Sequence, residues 1–365
     1  MTSVMFQPVM VRHALGRYPV YVEPGALARL EQLVSQHLPG RRVAMIADDT
    51  AHQLYRNGRM GAAPWAGETI TFAAGEKSKT RESWAYLTDT LMELGFGRDS
   101  GLIALGGGVT GDLAGFVAAT YMRGVPYLQV PTTLLAMVDA SVGGKTGVDT
   151  PQGKNLVGAF HPPAAVLADP LTLATLPDKD YRAGLAEAVK HGLIADREYF
   201  EWMEANALEI SSRGLDPVTR LIRRSVEIKA EVVSGDERES GQRAILNAGH
   251  TVAHAVERAS GYQLSHGEAV ALGLVVECAL AEQLGIASPG LRSRVAGLLG
   301  RLRLPTRLPR LDRGVLLENM TIDKKNRGGQ VHFALPVQLG EMHQENGWTV
   351  PVREEAIEAA IATVE

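Results

Sequence analysis

The apolar residues of this chain change their rhythm about halfway along, and that change limits the possible folds more than any other feature. Residues 43–47, 69–72, 102–105, 127–130 and 165–168 are short apolar runs separated by stretches of helical periodicity. In 80–94, Trp84, Leu87, Leu91 and Leu94 fall on one helix face, and 113–121 reads as a second helix. Strands alternating with helices predict βαβ units and a parallel sheet. Beyond about Pro177, long amphipathic stretches follow one another at 181–194, 198–208, 217–233, 251–259, 268–284 and 291–299, and the main strand-like run is 331–335. The expectation is an α/β nucleotide-binding domain over residues 1–176 and a mostly α-helical metal- and substrate-binding domain over 177–365, with ligands in a cleft between them.

Charge narrows the partner. Lys and Arg number 37 against 41 Asp and Glu, with no long basic run, so nothing electrostatic favours nucleic acid or an anionic membrane, and a small molecule is expected. The first residues lack a basic start followed by an apolar run, and no stretch reaches the roughly 18 apolar residues of a membrane span. Cys278, the single cysteine, sits in an apolar helical stretch and reads as an inert core thiol in a reducing compartment. A cytoplasmic location follows as an expectation.

The run 102–105 leads into Gly106-Gly107-Gly108-Val109-Thr110-Gly111-Asp112, a G-x-G-x-x-G match between a strand and a helix. Glycines there let backbone N–H groups approach a pyrophosphate at a helix N-terminus. A plain βα turn with Asp112 capping the helix would look the same. No Asp or Glu lies between Leu113 and Val138, so the usual ribose-binding acid about 20 residues downstream is missing. Asp48, just after a strand, is the best substitute, with Glu76 and Lys79 next.

Further on, Gly143-Gly144-Lys145-Thr146 resembles the end of a Walker A loop, but the first glycine of that motif would fall at Asp139. The P-loop reading fails. What remains is Lys145, Lys154 and Asn155 beside glycines, able to bind phosphate or sugar oxygens, or else lysines of solvated loops.

The helical half carries His250 and His254 at i and i+4, then His266-Gly267-Glu268, and earlier Glu187 with Lys190 at i, i+3. A carboxylate with two imidazoles and an open fourth position is the ligand set of a catalytic zinc. Spacing leaves the third ligand open, and capping or surface histidines would give the same pattern.

Taken together, these segments resemble the 3-dehydroquinate synthases of the sugar phosphate cyclases, over nearly the whole chain. The most specific stretch runs from Gly106 to Leu113 through Tyr121-Met122-Arg123-Gly124, residues 129–136 and 139–145, to Gly153-Lys154-Asn155 and Gly158-Ala159-Phe160. The second half adds Gly184 to Glu187 with Lys190, residues 236–239, Leu246-Asn247 with Gly249-His250, His266-Gly267-Glu268, and Asp323-Lys324-Lys325-Asn326. The resemblance implies NAD and one Zn2+, or Co2+ in its place. It assigns the metal to Glu187, His250 and His266, with His254 either behind the ligands or on the substrate side. It assigns NAD to Asp48, Glu76, Lys79, Gly107, Gly108, Val109, Asp112, Thr132, Thr133 and Asp139, with Lys145 and Lys154 beside it. Substrate would meet Lys145, Lys154, Asn155, Lys190, Lys229, Arg243, Asn247, His254 and Lys324, and Arg123 would reach in from the partner of a homodimer. Thr50 stands where the family commonly has an asparagine, and Ala248 and Ala253 replace an aromatic and a glycine around His250, changes of packing more than of chemistry.

The implied reaction converts 3-deoxy-D-arabino-heptulosonate 7-phosphate to 3-dehydroquinate and phosphate in the shikimate pathway of aromatic amino acid biosynthesis. The C5 alcohol is oxidised transiently by NAD, the C6 proton is lost as phosphate leaves, the ketone is reduced again, and ring opening with an aldol step closes the carbocycle. Three rivals stay open on sequence: a sibling cyclase whose substrate lacks the carboxylate, a metal-dependent alcohol dehydrogenase of the same two-domain plan, and a non-catalytic relative.

Overall fold

Residues that are apolar on both sides of a strand need cover on both faces, and the first half of the chain supplies it. The computed structural model describes residues 7–14, 16–55, 65–237, 241–321, 330–345 and 347–365. The chain divides into two units, Met1–Leu176 and Pro177–Glu365.

In the first unit the strands are β1 (Val9–His13), β2 (Gly16–Val22), β3 (Arg42–Asp48), β4 (Thr69–Phe72), β5 (Ser100–Gly106), β6 (Tyr127–Pro131), β7 (Lys145–Thr150), β8 (Gly153–Phe160) and β9 (Ala165–Ala168). Seven form one sheet in the order β1-β2-β9-β6-β5-β3-β4, while β7 and β8 pair as a separate antiparallel hairpin. Apart from the β1–β2 pair, the sheet is parallel. The helices are α1 (Leu30–His37), α2 (Asp49–Tyr55), α3 (Arg81–Glu93) and α4 (Gly108–Thr120). Ala44, Ile46, Leu102 and Ala104 pack on Leu87 and Leu91 of α3 and Leu113 and Val117 of α4. Their neighbours Met45, Ala47, Ile103 and Leu105 pack with Leu30 and Leu33 of α1 and Ala51 and Tyr55 of α2. This double burial is why β3 and β5 read as continuous apolar runs, not as an alternation.

The chain steps outward from β3 to β4 and then returns to lay β5 on the other side of β3. The strand order therefore reverses between β3 and β5, and the carboxyl ends of these strands, Asp48 and Gly106, flank the position where open parallel sheets bind nucleotides.

Three expectations are corrected here. The second helix begins at Gly108, five residues before its apolar stretch, so Asp112 lies inside α4 and Gly107 is the cap residue. Residues 145–160, read as loops, form the β7–β8 hairpin, whose glycines hid the strand pattern. The stretch 198–208 breaks at Asn206 into α6 (Arg197–Ala205) and α7 (Ala207–Ser211), which follow α5 (Asp178–Ala195).

The second unit continues with α8 (Leu215–Gly235), α9 (His250–Ala259), α10 (His266–Gln283), α11 (Leu291–Arg301), α12 (Arg313–Thr321) and α13 (Glu354–Ala362). Two small antiparallel pairs join β10 (Val331–Phe333) to β13 (Val350–Val352) and β11 (Pro336–Gln338) to β12 (Glu341–Met342). The apolar α10 is buried along most of its length and packs against α5, α9, α11 and α13. Two of its glycines allow backbone to meet backbone. A Cβ on Gly267 would fall 2.1 Å from Ala183 Cα, and one on Gly273 would fall 1.9 Å from the carbonyl oxygen of Gly249. α5 and the start of α9 are thereby drawn onto α10, which brings the next set of residues together.

Candidate metal centre and nucleotide turn

A capping box starts α10 at the required place: the Ser265 hydroxyl accepts from Glu268 N, and the Glu268 carboxylate accepts from Ser265 N. His266 is then the first residue of α10, His250 the first of α9, and Glu187 lies in the buried middle of α5. Glu187 Oε1 is 3.2 Å from His266 Nε2 and 3.5 Å from His250 Nε2. The donor atoms of the three residues all lie within 4.8 Å of one another. His250 Nδ1 faces the carbonyl oxygen of Ala248 at 3.2 Å, and His266 Nδ1 faces Glu257 Oε1 at 3.4 Å. Each acceptor favours a proton on Nδ1, so that in the neutral tautomer each Nε2 lone pair would face the carboxylate.

This donor set fits a divalent cation of the zinc or cobalt type. Burial alone would raise the Glu187 carboxyl, but the Lys190 ammonium and then the two imidazoles hold it well below its usual range. Burial, followed by Lys190, pushes His250 down to about 3, so its imidazole is neutral. Burial also disfavours charge on His266, yet hydrogen bonds to Glu187 and Glu257 raise it to about 10. A cation held by these three residues would have to displace the proton from His266.

His254 is exposed and stands edge-on to His250 with ring centroids 5.6 Å apart, outside the trio of donors. Lys190, Lys229 and Arg243 are buried cations on α5, α8 and the turn Gln242–Asn247, three segments that pack on one another. Arg243 Nη1 donates to Glu237 O, and its backbone N donates to Asp236 Oδ2, so it is no surface arginine. Asn247 is exposed. Lys324 lies outside the described residues.

In the first unit, Asp48 Oδ1 accepts from Ala51 N at 2.8 Å and Oδ2 accepts from the Thr110 hydroxyl at 2.9 Å. A Cβ on Gly106 would lie 2.4 Å from that Oδ2, so only glycine lets the carboxylate approach the turn. Gly111 serves the packing: a Cβ there would lie 2.1 Å from Gln129 Nε2 on β6. Gly107, Gly108 and Val109 open α4, Thr132 N donates to Gly106 O, and Thr133 Oγ1 accepts from Ala136 N. Asp139 sits in the single wide turn Ala136–Ala140.

A second polar group surrounds Lys79. Its buried ammonium donates to Asp112 Oδ2 and Asn155 Oδ1, both at 2.5 Å, and Lys154 Nζ lies 3.4 Å from Glu76 Oε1. Lys79 O accepts from Asp149 N, and Asp149 Oδ1 accepts from Asn155 N, which ties the β7–β8 hairpin to the segment Glu76–Ser78. Lys145, at the start of β7, is exposed, as is Arg123. Met122 and Arg123 both adopt positive φ, 51° and 68°, a costly pair for non-glycine residues.

Sequence reasoning missed Thr110, Glu257 and Glu277. Thr110 lies within the glycine motif, and Glu257, seven residues after His250, shares its helix face, so spacing could have found both. Glu277 had no such signal: it lies in the apolar α10 and accepts from Gly249 N at 2.6 Å.

The model of the 3-dehydroquinate synthase N-terminal family matches residues 69–183, and that of the 3-dehydroquinate synthase C-terminal family matches 184–326. The 3-dehydroquinate synthase of Symbiobacterium thermophilum is 48% identical over 332 residues, 89% of this chain and 93% of its own. That of Nitrosomonas europaea is 44% identical over 349 residues, 94% of both chains. Among solved structures, the 2-epi-5-epi-valiolone synthase ValA of Streptomyces hygroscopicus, with NAD+ and Zn2+ bound, superposes with a TM-score of 0.84 at 31% identity, covering 95% of this chain and 96% of that one. A 2-deoxy-scyllo-inosose synthase complexed with carbaglucose-6-phosphate, NAD+ and Co2+ gives 0.87 at 26% identity, covering 98% and 99%.

Proposed function

The chain belongs to the 3-dehydroquinate synthase family, and on that premise we propose how its residues convert 3-deoxy-D-arabino-heptulosonate 7-phosphate to 3-dehydroquinate and phosphate. The observation that carries the reading is the convergence of Glu187 Oε1, His250 Nε2 and His266 Nε2 on one point. When bound, the metal supplies a Lewis acid that acidifies an alcohol, and NAD supplies a reversible hydride acceptor. Glu187, His250 and His266 hold the metal.

Asp48, hydrogen-bonded at the carboxyl end of β3, and the amides that open α4 hold the nucleotide, with Thr132, Thr133 and Asp139 beside them. Glu76, Lys79 and Asp112 complete that surface, and the ion pair of Lys79 with Asp112 fixes both side chains before any ligand arrives. The substrate carries a carboxylate and a phosphate, so cations must gather in a protein of net charge -4. Arg243 supplies a two-pronged donor suited to the carboxylate, and Lys145, Lys154, Asn155, Lys190, Lys229, Asn247 and Lys324 serve the remaining oxygens. His254, exposed and one turn from His250, contacts the substrate and stabilises the departing phosphate by hydrogen bonding. Arg123, exposed on a turn of left-handed residues, reaches a second copy of the chain in a homodimer, and the enzyme works in the cytoplasm. Among the described residues no helix is long and apolar enough to cross a membrane.

The sibling-cyclase reading draws on the solved neighbours. Turnover of the heptulosonate phosphate, with none of glucose 6-phosphate or sedoheptulose 7-phosphate, supports the present reading. The reverse preference overturns it.

A further inference from the structure

His266 has two faces, and only one of them points at the other metal donors. Its Nε2 looks toward Glu187, while its Nδ1 stands 3.4 Å from Glu257 Oε1, a carboxylate whose side chain is 9% exposed. Glu257 lies on α9, two turns after His250, and α9 packs against α10, which opens with His266. One helix thus carries both a donor and the carboxylate that stands behind the other donor.

A buried carboxylate in that place does two things to an imidazole. It fixes the tautomer by accepting the Nδ1 proton and stops the ring from turning about its χ2 bond. It also returns electron density to Nε2, which strengthens that nitrogen as a donor to a dication. His266 is the most exposed of the three donors, at 32% of its side chain against 15% for His250 and none for Glu187. Packing therefore restrains it least, and a hydrogen-bonded support matters most there.

We propose that Glu257 is a positioning residue for the metal, holding the His266 imidazole in the orientation and tautomer that bind it. The inference rests on the assignment of Glu187, His250 and His266 as the ligands, so its test must separate the two. Zinc dissociation constants would be measured by chelator competition on the full chain for the unmodified protein, His266→Ala and Glu257→Gln. Metal-free melting temperatures and the visible absorption of the Co2+-loaded forms would be recorded alongside. Glutamine keeps the size and one acceptor oxygen but loses the charge. The expected result is zinc affinity weaker by about 10- to 100-fold in Glu257→Gln and an altered Co2+ spectrum, with metal-free melting lowered only by the loss of the Glu257–His266 ion pair. Zinc affinity within twofold of the unmodified protein, with His266→Ala unable to hold zinc, overturns the role of Glu257 while leaving the ligand set intact. Full zinc affinity in His266→Ala overturns the ligand set and this inference with it.

Discussion

Glu187 and Lys190, one turn apart on α5, form an ion pair with both side chains buried, the carboxylate entirely so. Such a pair resists the loss of either partner more than it adds net stability, and without Lys190 the buried Glu187 carboxylate would keep only the protonated His266 as its counter-charge. Lys190→Met should therefore destabilise the metal-free protein, by less than the about 3–5 kcal/mol of a buried pair broken to leave an uncompensated charge. A bound dication would restore the missing positive charge, so saturating zinc should recover most of the loss. Paired thermal melts with and without zinc check this, and an equal loss in both states would contradict it.

The two histidines of α9 should behave differently despite their i, i+4 spacing. His250 is inside the donor trio, whereas His254 is exposed beside it. His250→Ala should lose metal and activity together. His254→Ala should keep full metal occupancy by elemental analysis and lose turnover.

Arg243 presents a buried guanidinium whose Nη1 donates to Glu237 O, while its backbone N donates to Asp236 Oδ2. Lysine cannot reproduce two parallel charge-assisted bonds to a carboxylate. Arg243→Lys should keep zinc and NAD binding while kcat/KM falls by roughly the 2–5 kcal/mol of a broken desolvated charge pair. Unchanged kinetics would remove Arg243 from the substrate site.

Glu277 gives a pH dependence. Burial raises its carboxyl from 4.5 to about 8, against the opposing hydrogen bonds from Gly249, Val252 and Thr251. The folded protein then binds this proton more tightly than the unfolded chain, so its contribution is fully present below about pH 4.5 and is lost as pH rises to about 8. Each unit of such a shift is worth about 1.4 kcal/mol. Glu277→Gln keeps an acceptor for Gly249 N without the titration. The stability difference between variant and unmodified protein should grow in favour of the variant from pH 5 to 8 and then level off. A pH-independent difference in denaturant melts would contradict this.

Much of this architecture is legible in the residues themselves. β5 is buried throughout because both faces are covered, and its unbroken apolar run announces a parallel sheet. The glycine turn and His250 are legible by local spacing, although His254, the i, i+4 partner of His250, falls outside the donor trio. What local spacing leaves open is the third donor of the trio, since Glu187 reaches His250 and His266 only through the packing of α5 and α9 on α10. β1 and β2 escape a pattern reading because Arg12 and Arg17 interrupt their apolar residues and Pro19 sits within β2. The β7–β8 hairpin escapes because Gly147, Gly153 and Gly158 break its alternation.

If NAD acts here as a catalyst that ends each turnover as it began, phosphate release and NADH must be uncoupled over many turnovers. The zinc-loaded protein with NAD and 3-deoxy-D-arabino-heptulosonate 7-phosphate would be followed for inorganic phosphate and for NADH absorbance together. Phosphate should accumulate in proportion to substrate consumed while NADH returns to its baseline after any initial transient. A continuous rise of NADH matching substrate loss, without phosphate release, would mean an ordinary alcohol dehydrogenase and would contradict the account.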